Sequence, residues 1–342
     1  MPVTHSGLYD QVVAFDSLLA ASREASRGKR YTSQGAAFAA RREEELINLH
    51  NHLVYGTWQP SPPREFVVRE PKLRLIQAPI FADRVVHHAV YRVVNPLFER
   101  KFIADSFACR AGKGHLAAAQ RVQQQVRQAK RNWGRVWVLK ADISRFFASI
   151  DHDVVLAEFA RTVADPRLCD LVGRIVRNSG AEGAGLPVGA LTSQLLANVL
   201  LNRLDHYAKD TLGYRYYCRY MDDFVVLLPD KASAREALRL LGEQVNALGL
   251  SLNPKTAVHP AQRGIDFCGY RIWATHMLPR KRNIKRARRQ FRRLAERYAQ
   301  GRTGLEDIQP RVASFLAYTK HCQARETVEG VLRDLRLSRR SY

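Results

Sequence analysis

Acidic residues are scarce in this chain. Its 342 residues carry 32 Asp plus Glu against 55 Lys plus Arg, a formal net charge of +23. Cations left so poorly balanced predict a polyanionic partner. Long apolar runs are absent too: none could span a bilayer, and the first residues lack the apolar core of a signal peptide. A membrane is thereby set aside, and nucleic acid in a cytoplasmic setting is the expectation. Five cysteines lie far apart with no CxxC pair, which excludes a zinc ribbon or a disulfide framework and fits a reducing compartment. There is no internal repeat and no low-complexity block. What the chain does have is apolar residues, 46% of the total, enough for a real core, over a length that predicts two or three subdomains.

Along the chain, Leu8, Val12, Phe15, Leu18 and Leu19 fall at helical spacing, and a second helix is predicted from about Ala36 to Tyr55. The prolines of "QPSPPREF" forbid helix. A hairpin follows, "EFVVRE" and "LRLIQAP", turning through Glu70, Pro71 and Lys72 and placing Arg74 on the face it shares with Ile76. After a helix containing "DRVVHHAVYRVV" comes the basic loop "SFACRAGKGH", then a polar helix ending near Asn132. His87 and His88 are adjacent on their helix and diverge, which reads as structural.

The middle differs. "RVWVLKADI" is a continuous apolar run ending in an acid, as expected of a strand buried on both faces. Helices follow, the last from Thr192 to about Lys209. "GYRYYCRYMDDFVVLLPD" then reads as two strands around a tight turn, and a helix over 233–248 and a short strand "LSLN" complete the order of a split βαβ unit. In the tail, Ile284, Ala287, Phe291, Leu294 and Tyr298 recur at three- and four-residue steps among dense cations, predicting a helix with one packed side and one basic side.

The few acids matter most where they adjoin apolar strands. Asp222 and Asp223 are neighbours at the head of "FVVLL", where like charges repel and desolvation is costly. Asp142 would join them if its strand lies beside theirs in one sheet. A divalent cation relieves such repulsion, and oxygen ligands without nearby His or Cys favour Mg²⁺ or Mn²⁺ over zinc. Two such ions can clamp the attacking and leaving oxygens of a phosphoryl displacement. Successive strand residues point to opposite faces, so Asp142 and Asp222 rank ahead of Asp223 as ligands.

At this point the residues resemble a known family. "YMDD" between two apolar strands looks like the catalytic signature of reverse transcriptases, and "LKADISRFFASIDHD", "GLPVGALTSQLLANVLLNRLD", "LGLSLNPKTA" and "GIDFCGYRIW" resemble its other motifs in the family's order. "PKLRLIQAPIFADRVVHHAV" and "SFACRAGKG" are similar to its fingers motifs, so the likeness runs from about residue 64 to 275. Within the family, "LPVGALTSQ" looks most like the diversity-generating retroelement type, with Val188 where most relatives carry Gln and Ser193-Gln194 where they carry Ser-Pro.

The resemblance implies an α+β right-hand polymerase: an N-terminal helical extension over 1–63, fingers over 64–134, a ferredoxin-like palm over 135–275 with a fingers insertion near 165–190, and a basic helical thumb over 276–342. It implies an RNA-directed DNA polymerase that copies a template-repeat RNA into cDNA with low fidelity at adenines, in mutagenic retrohoming. Asp142, Asp222 and Asp223 would be catalytic and, with the Ile143 carbonyl, would hold two Mg²⁺ ions. Lys72, Arg74, Phe147, Val188, Gln194 and Lys255 would meet the dNTP, Phe147 as the gate against a ribose 2′-hydroxyl. Arg110, Lys113, Arg280, Lys281, Lys285, Arg288 and Arg289 would contact nucleic acid. A small basic accessory protein, oligomeric in the family's pattern, would be the partner. Two other readings fit the same residues: a phage-defence reverse transcriptase with non-standard templating, and a catalytically idle RNA-binding scaffold.

Overall fold

The computed structural model describes residues 4–69, 74–180 and 183–338. The chain forms two compact units that alternate along the sequence. The first takes the residues up to Ala111 together with Asp142–Gly213 and Leu240–Pro254; the second takes Gly112–Ala141, Tyr214–Arg239 and the residues from Lys255 onward.

The first unit is largely helical. Its front holds α1 (Tyr9–Val13), α2 (Phe15–Ala25), α3 (Ser33–Ala40) and α4 (Arg42–Val54). Each of the two helices expected here is broken once. Ala14, with ψ of 133°, separates α1 from α2, and Arg41, with φ −123° and ψ 34°, separates α3 from α4. A two-stranded sheet follows, β1 (Arg64–Val68) against β2 (Arg74–Ala78), in the expected hairpin register with Phe66 opposite Ile76. Then comes α5 (Phe81–Glu99), whose Val85, Val86, Ala89, Val90 and Val94 are buried at the spacing of one helical face.

Later parts of the chain add α7 (Phe146–Ser149), α8 (His152–Ala160), α9 (Pro166–Arg177) and α10 (Leu191–His206) to this unit. Asp165 shows why α9 starts where it does. It caps the helix by accepting from the Leu168 N–H, and it also accepts from Leu8 and Tyr9 at 2.8 Å each, tying α1 to α9. Burial opposes its charge, yet these backbone donors hold its carboxyl below the usual range.

The second unit is built on α6 (His115–Trp133) and a four-stranded sheet ordered β4-β5-β3-β6, from β3 (Trp137–Asp142), β4 (Tyr217–Tyr220), β5 (Asp223–Leu228) and β6 (Ala257–Pro260). The helix between β5 and β6 is α11 (Lys231–Ala247). The last strand of the sheet is not "LSLN" as expected. That segment makes a single antiparallel bridge, Leu252 to Ile143, and the ladder strand is β6, pairing Val258 with Leu139. Pro254 has no N–H to continue the ladder, so pairing lapses and resumes three residues on; Pro260 is tolerated because β6 is an edge strand.

A three-stranded sheet follows: β7 (Ile265–Phe267), β8 (Tyr270–Ile272) and β9 (Met277–Pro279). The first two are the expected hairpin, and the third was not foreseen. The tail forms α12 (Lys281–Ala299), α13 (Leu305–Thr319) and α14 (Arg325–Arg333), packed on Ala287, Phe291, Leu294, Ile308, Phe315 and Val331. Among the described residues no helix is long and apolar enough to cross a membrane.

Candidate active site

In the second unit, Tyr220 pairs with Asp223, so β4 and β5 are joined by a two-residue turn, Met221-Asp222. Met221 has φ +54°. A positive φ at the first central residue alone matches a type II′ turn, the kind whose twist suits a hairpin, although glycine is its usual occupant. A methionine there is a strained choice, held by its surroundings. Arg219 supplies part of that hold: it is fully buried, and its guanidinium donates to the Met221 carbonyl at 3.0 Å. Behind the turn, Phe224, Val225 and Val226 are completely buried.

The turn leaves Asp222 at its tip and Asp223 as the first residue of β5, both half-buried. β5 adjoins β3 in the sheet, and the Lys140 ammonium of β3 is hydrogen-bonded to the Asp223 carboxylate. Lys140 also lies 5.8 Å from the centre of the Phe267 ring of β7. The "K" of "LKADI" is thus a charge partner for one of the paired acids, which sequence reasoning missed.

In the first unit, Asp142 is fixed by a residue that was also missed. Asn253 donates its backbone N–H to the Asp142 carbonyl at 2.7 Å and its side-chain amide to the Asp142 carboxylate at 3.1 Å. Ser144 N–H donates to the Ser251 carbonyl at 2.8 Å. These bonds flank the Ile143–Leu252 pair, so the Ile143 carbonyl points to the opposite edge of its strand.

The same unit gathers several predicted nucleotide contacts. Phe146 is buried and Phe147 half-buried, their rings 5.4 Å apart edge to face. The Phe147 carbonyl accepts from Leu186 N–H at 2.7 Å, and the Ile150 carbonyl from Gly185 N–H at 2.8 Å. The loop carrying half-buried Val188 is therefore stitched to the segment carrying Phe147. Next to Val188, Gly189 has φ +106°, and a Cβ built there would lie 3.6 Å from Ile76 of β2. Phe147, the 186–190 loop and the strand that Arg74 opens are brought together. Gln194 lies half-buried in the first turn of α10, and Lys72 lies outside the described residues.

Two buried side chains of α5 brace this region. His87 shares a hydrogen bond of 2.8 Å with the Thr192 hydroxyl at the start of α10, and burial pushes its pKa down to about 3. Asp83 accepts from the Ser61 N–H at 2.8 Å just before β1; burial pushes its pKa up to about 6.

The basic residues divide. Arg110 was expected to touch a template, and the structure corrects this. Its side chain is only 6% exposed, grips Glu99 with both Nε and an outer nitrogen, and donates to the Ile103 and Ser106 carbonyls at 2.6 and 2.8 Å. It is the anchor of its own loop. Lys113 is half-buried and Lys255 exposed. Arg280 lies 3.7 Å from Asp266, while Arg288 and Arg292 point toward Asp334 of the segment after α14 at 3.8 and 3.3 Å. Lys281, Lys285 and Arg289 are exposed.

A further residue missed in the sequence is Tyr318 of α13. Its hydroxyl donates to the Gly269 carbonyl in the β7–β8 turn and accepts from Arg280 N–H at 3.2 Å and from Asn283 at 3.0 Å. No sequence pattern announces such a link.

Residues 68–272, more than half of the chain, match the family model described as reverse transcriptase (RNA-dependent DNA polymerase). The chain belongs to the reverse transcriptase family. It is an RNA-directed DNA polymerase by that membership, and so a nucleotidyltransferase. It is similar to the protein YkfC of Escherichia coli, 27% identical over 276 residues that make up 68% of this chain and 72% of that one. It also resembles the group II intron-encoded protein LtrA of Lactococcus lactis, 24% identical over 48% of this chain but only 28% of LtrA. Among solved structures, telomerase from Candida albicans superposes with a TM-score of 0.50 at 13% identity, over 81% of this chain and 55% of that one. That likeness is one of fold, the right-hand polymerase fold expected from the motifs.

Proposed function

We propose that this reverse transcriptase polymerises DNA at Asp142, Asp222 and Asp223. The observation that carries the reading is the strained Met221-Asp222 turn, which sets Asp222 at the tip and Asp223 at the head of a strand adjoining β3, the strand that ends at Asp142. Reverse transcriptases use divalent metal ions, and the carboxylates and the Ile143 carbonyl proposed as donors are hard oxygens of the kind Mg²⁺ or Mn²⁺ prefers; among the described residues no three acids are gathered into a metal-holding cluster. The ammonium of Lys140 on Asp223 indicates that this carboxylate already draws a cation. Bound ions would supply activation of the primer 3′-hydroxyl and neutralise the leaving pyrophosphate.

The chain's own residues do the positioning. Asn253 orients Asp142 and Arg219 holds the turn; on this reading Phe147 would exclude a 2′-hydroxyl, the 186–190 loop would back the nascent pair, and the family motif assigns Arg74 to the triphosphate. Primer extension on an RNA template with Mg²⁺ tests this. Asp222→Ala should lose on the order of a thousandfold in rate while keeping its melting temperature and RNA affinity; near-normal synthesis by the variant would leave the scaffold reading in its place.

The finer reading is a retroelement enzyme that copies a template-repeat RNA with errors at adenines, aided by a small basic accessory protein. Its support is Val188: a Gln there could donate a hydrogen bond near the new base pair, worth about 1 kcal/mol of discrimination, and valine cannot. Val188→Gln should reduce misincorporation opposite template adenine; an unchanged error spectrum removes Val188 from the case. The likeness to LtrA favours a second reading, an intron-type enzyme. Paired repeats differing at adenines in the flanking DNA are expected only for the first.

A further inference from the structure

Within the second unit, the Cys268–Gly269 turn lies between the tail helices and the hairpin that bears Asp223. Phe267 pairs with Tyr270, so these two residues alone join β7 to β8, and both have positive φ, +49° and +87°. That is the signature of a type I′ turn, whose usual sequence is Asn, Asp or Gly followed by Gly. A cysteine in the first place is strained and needs an outside hold. The tail supplies it. Three donors converge on the Gly269 carbonyl: the Tyr318 hydroxyl of α13, the Arg280 N–H at 3.0 Å and the Asn283 amide at 3.4 Å. The Tyr270 hydroxyl returns a bond to the Tyr318 carbonyl at 3.2 Å, with the two rings 5.0 Å apart. A Cβ on Gly269 would lie 3.3 Å from the Asn283 amide, so glycine serves both the φ and the close approach. On its other side the turn meets the charged pair. Phe267 is fully buried, and the Lys140 ammonium that bonds Asp223 lies 5.8 Å from its ring centre, within cation–π range. Cys268 senses both sides: burial pushes its thiol up to about 12 against the pull of Lys140 and Arg280. A line of direct contacts thus runs from α13 through the turn to Phe267, Lys140 and Asp223.

We propose that Tyr318 is a positioning residue of the polymerase, fixing the Cys268–Gly269 turn so that Phe267 keeps the Lys140 ammonium on Asp223. The proposal rests on the reading of Asp223 as a polymerase acid, but its first test needs no synthesis. Brief acetylation of the full-length protein with acetic anhydride, read by peptide mass spectrometry, would compare wild type with Tyr318→Phe, which removes the hydroxyl and leaves the ring. Loss of that hydrogen bond should speed modification of Lys140 about two- to fivefold. Lys209 is the internal reference, because its side chain is 19% exposed against 17% for Lys140 and it is bonded to Asp105 in the first unit. A rise at both lysines would mean general loosening and overturn the assignment, as would no rise at Lys140. The control variant is Gln323→Ala, which cuts a different tie between tail and sheet, the 3.0 Å bond from Met277 N–H of β9 to the Gln323 side chain. It should leave Lys140 protected, and an equal rise there would also overturn the assignment. Primer extension then reads the consequence. Tyr318→Phe should lower half-saturating Mg²⁺ about twofold and change nothing further once Lys140→Met is present, whereas additive effects would overturn the route through Lys140. Synthesis surviving in Asp222→Ala would defeat the catalytic reading alone, since the acetylation result does not depend on it.

Discussion

Two hairpins in this molecule have similar strands and opposite settings. In β4–β5 nearly every residue is buried, down to a fully enclosed arginine, and the turn that joins the strands is strained. In β1–β2, Phe66, Val67, Val68 and Leu75 are all substantially exposed although they are apolar. Burial and the bond from Arg219 to the Met221 carbonyl hold the first in place, as the proposed metal-dependent chemistry would require. The second offers apolar surface to whatever lies against it; at its base Asp83 accepts from Ser61 N–H, and a Cβ added to Gly189 would lie 3.6 Å from Ile76. On the proposed reading, chemistry and substrate handling fall to elements of different rigidity.

That contrast can be broken at its rigid end. Arg219→Ala leaves a cavity and an unsatisfied carbonyl under the Met221 turn, and should cost about 3 kcal/mol or more of stability along with polymerase activity. Urea unfolding and primer extension would both register it; a variant of normal stability would mean the buried guanidinium is not what holds the turn.

A milder change sharpens the electrostatics of the same hairpin. Lys140→Met removes the cation from Asp223, so a divalent ion no longer competes with it, and half-saturating Mg²⁺ in primer extension should fall about two- to fivefold. A rise instead would show that Lys140 aids the ion.

The brace of the exposed hairpin titrates. Asp83 is raised from the ordinary 3.8 to about 6, so its contribution to stability is full below about pH 4 and is lost as pH rises through about 6. Asp83→Asn should flatten the melting temperature across that interval. His87, lowered to about 3, has the opposite sign: its contribution is present above about 6.5 and is lost as pH falls. Measuring Asp83→Asn and wild type over the same pH series isolates the carboxyl. The smallest effect belongs to the open surface of β1–β2, where Val67→Thr and Leu75→Thr should each change stability by less than about 0.5 kcal/mol.

The sequence displayed the candidate acids better than their supports. Adjacent aspartates in an apolar hairpin announce themselves, because local spacing alone makes them costly and therefore informative. Asn253, Lys140, Arg219 and Tyr318 could not be read that way, since each owes its role to a partner or an enclosure that only folding provides. Arg110 misled for the same reason. A cation in a glycine-containing loop has the local look of a phosphate contact, and only the position of Glu99, eleven residues earlier, turns it inward. The missed strand β6 and the overstated "LSLN" are one error: a proline decided where the ladder resumes, and pairing partners more than a hundred residues away decided that it resumes at all.

The alternation of the two units along the polypeptide has a consequence for how the molecule is made. The chain passes from one unit to the other at five places: after Ala111, Ala141, Gly213, Arg239 and Pro254. No uninterrupted fragment contains either unit alone, so severing the chain at any candidate domain boundary would leave both halves short of native partners. On the ribosome, the β3 edge that β6 will cover stays bare until residues 257–260 emerge. During that interval the nascent chain carries an apolar strand ending at Asp142 with one edge uncovered, and slow, chaperone-dependent maturation is the expected signature of such non-local assembly.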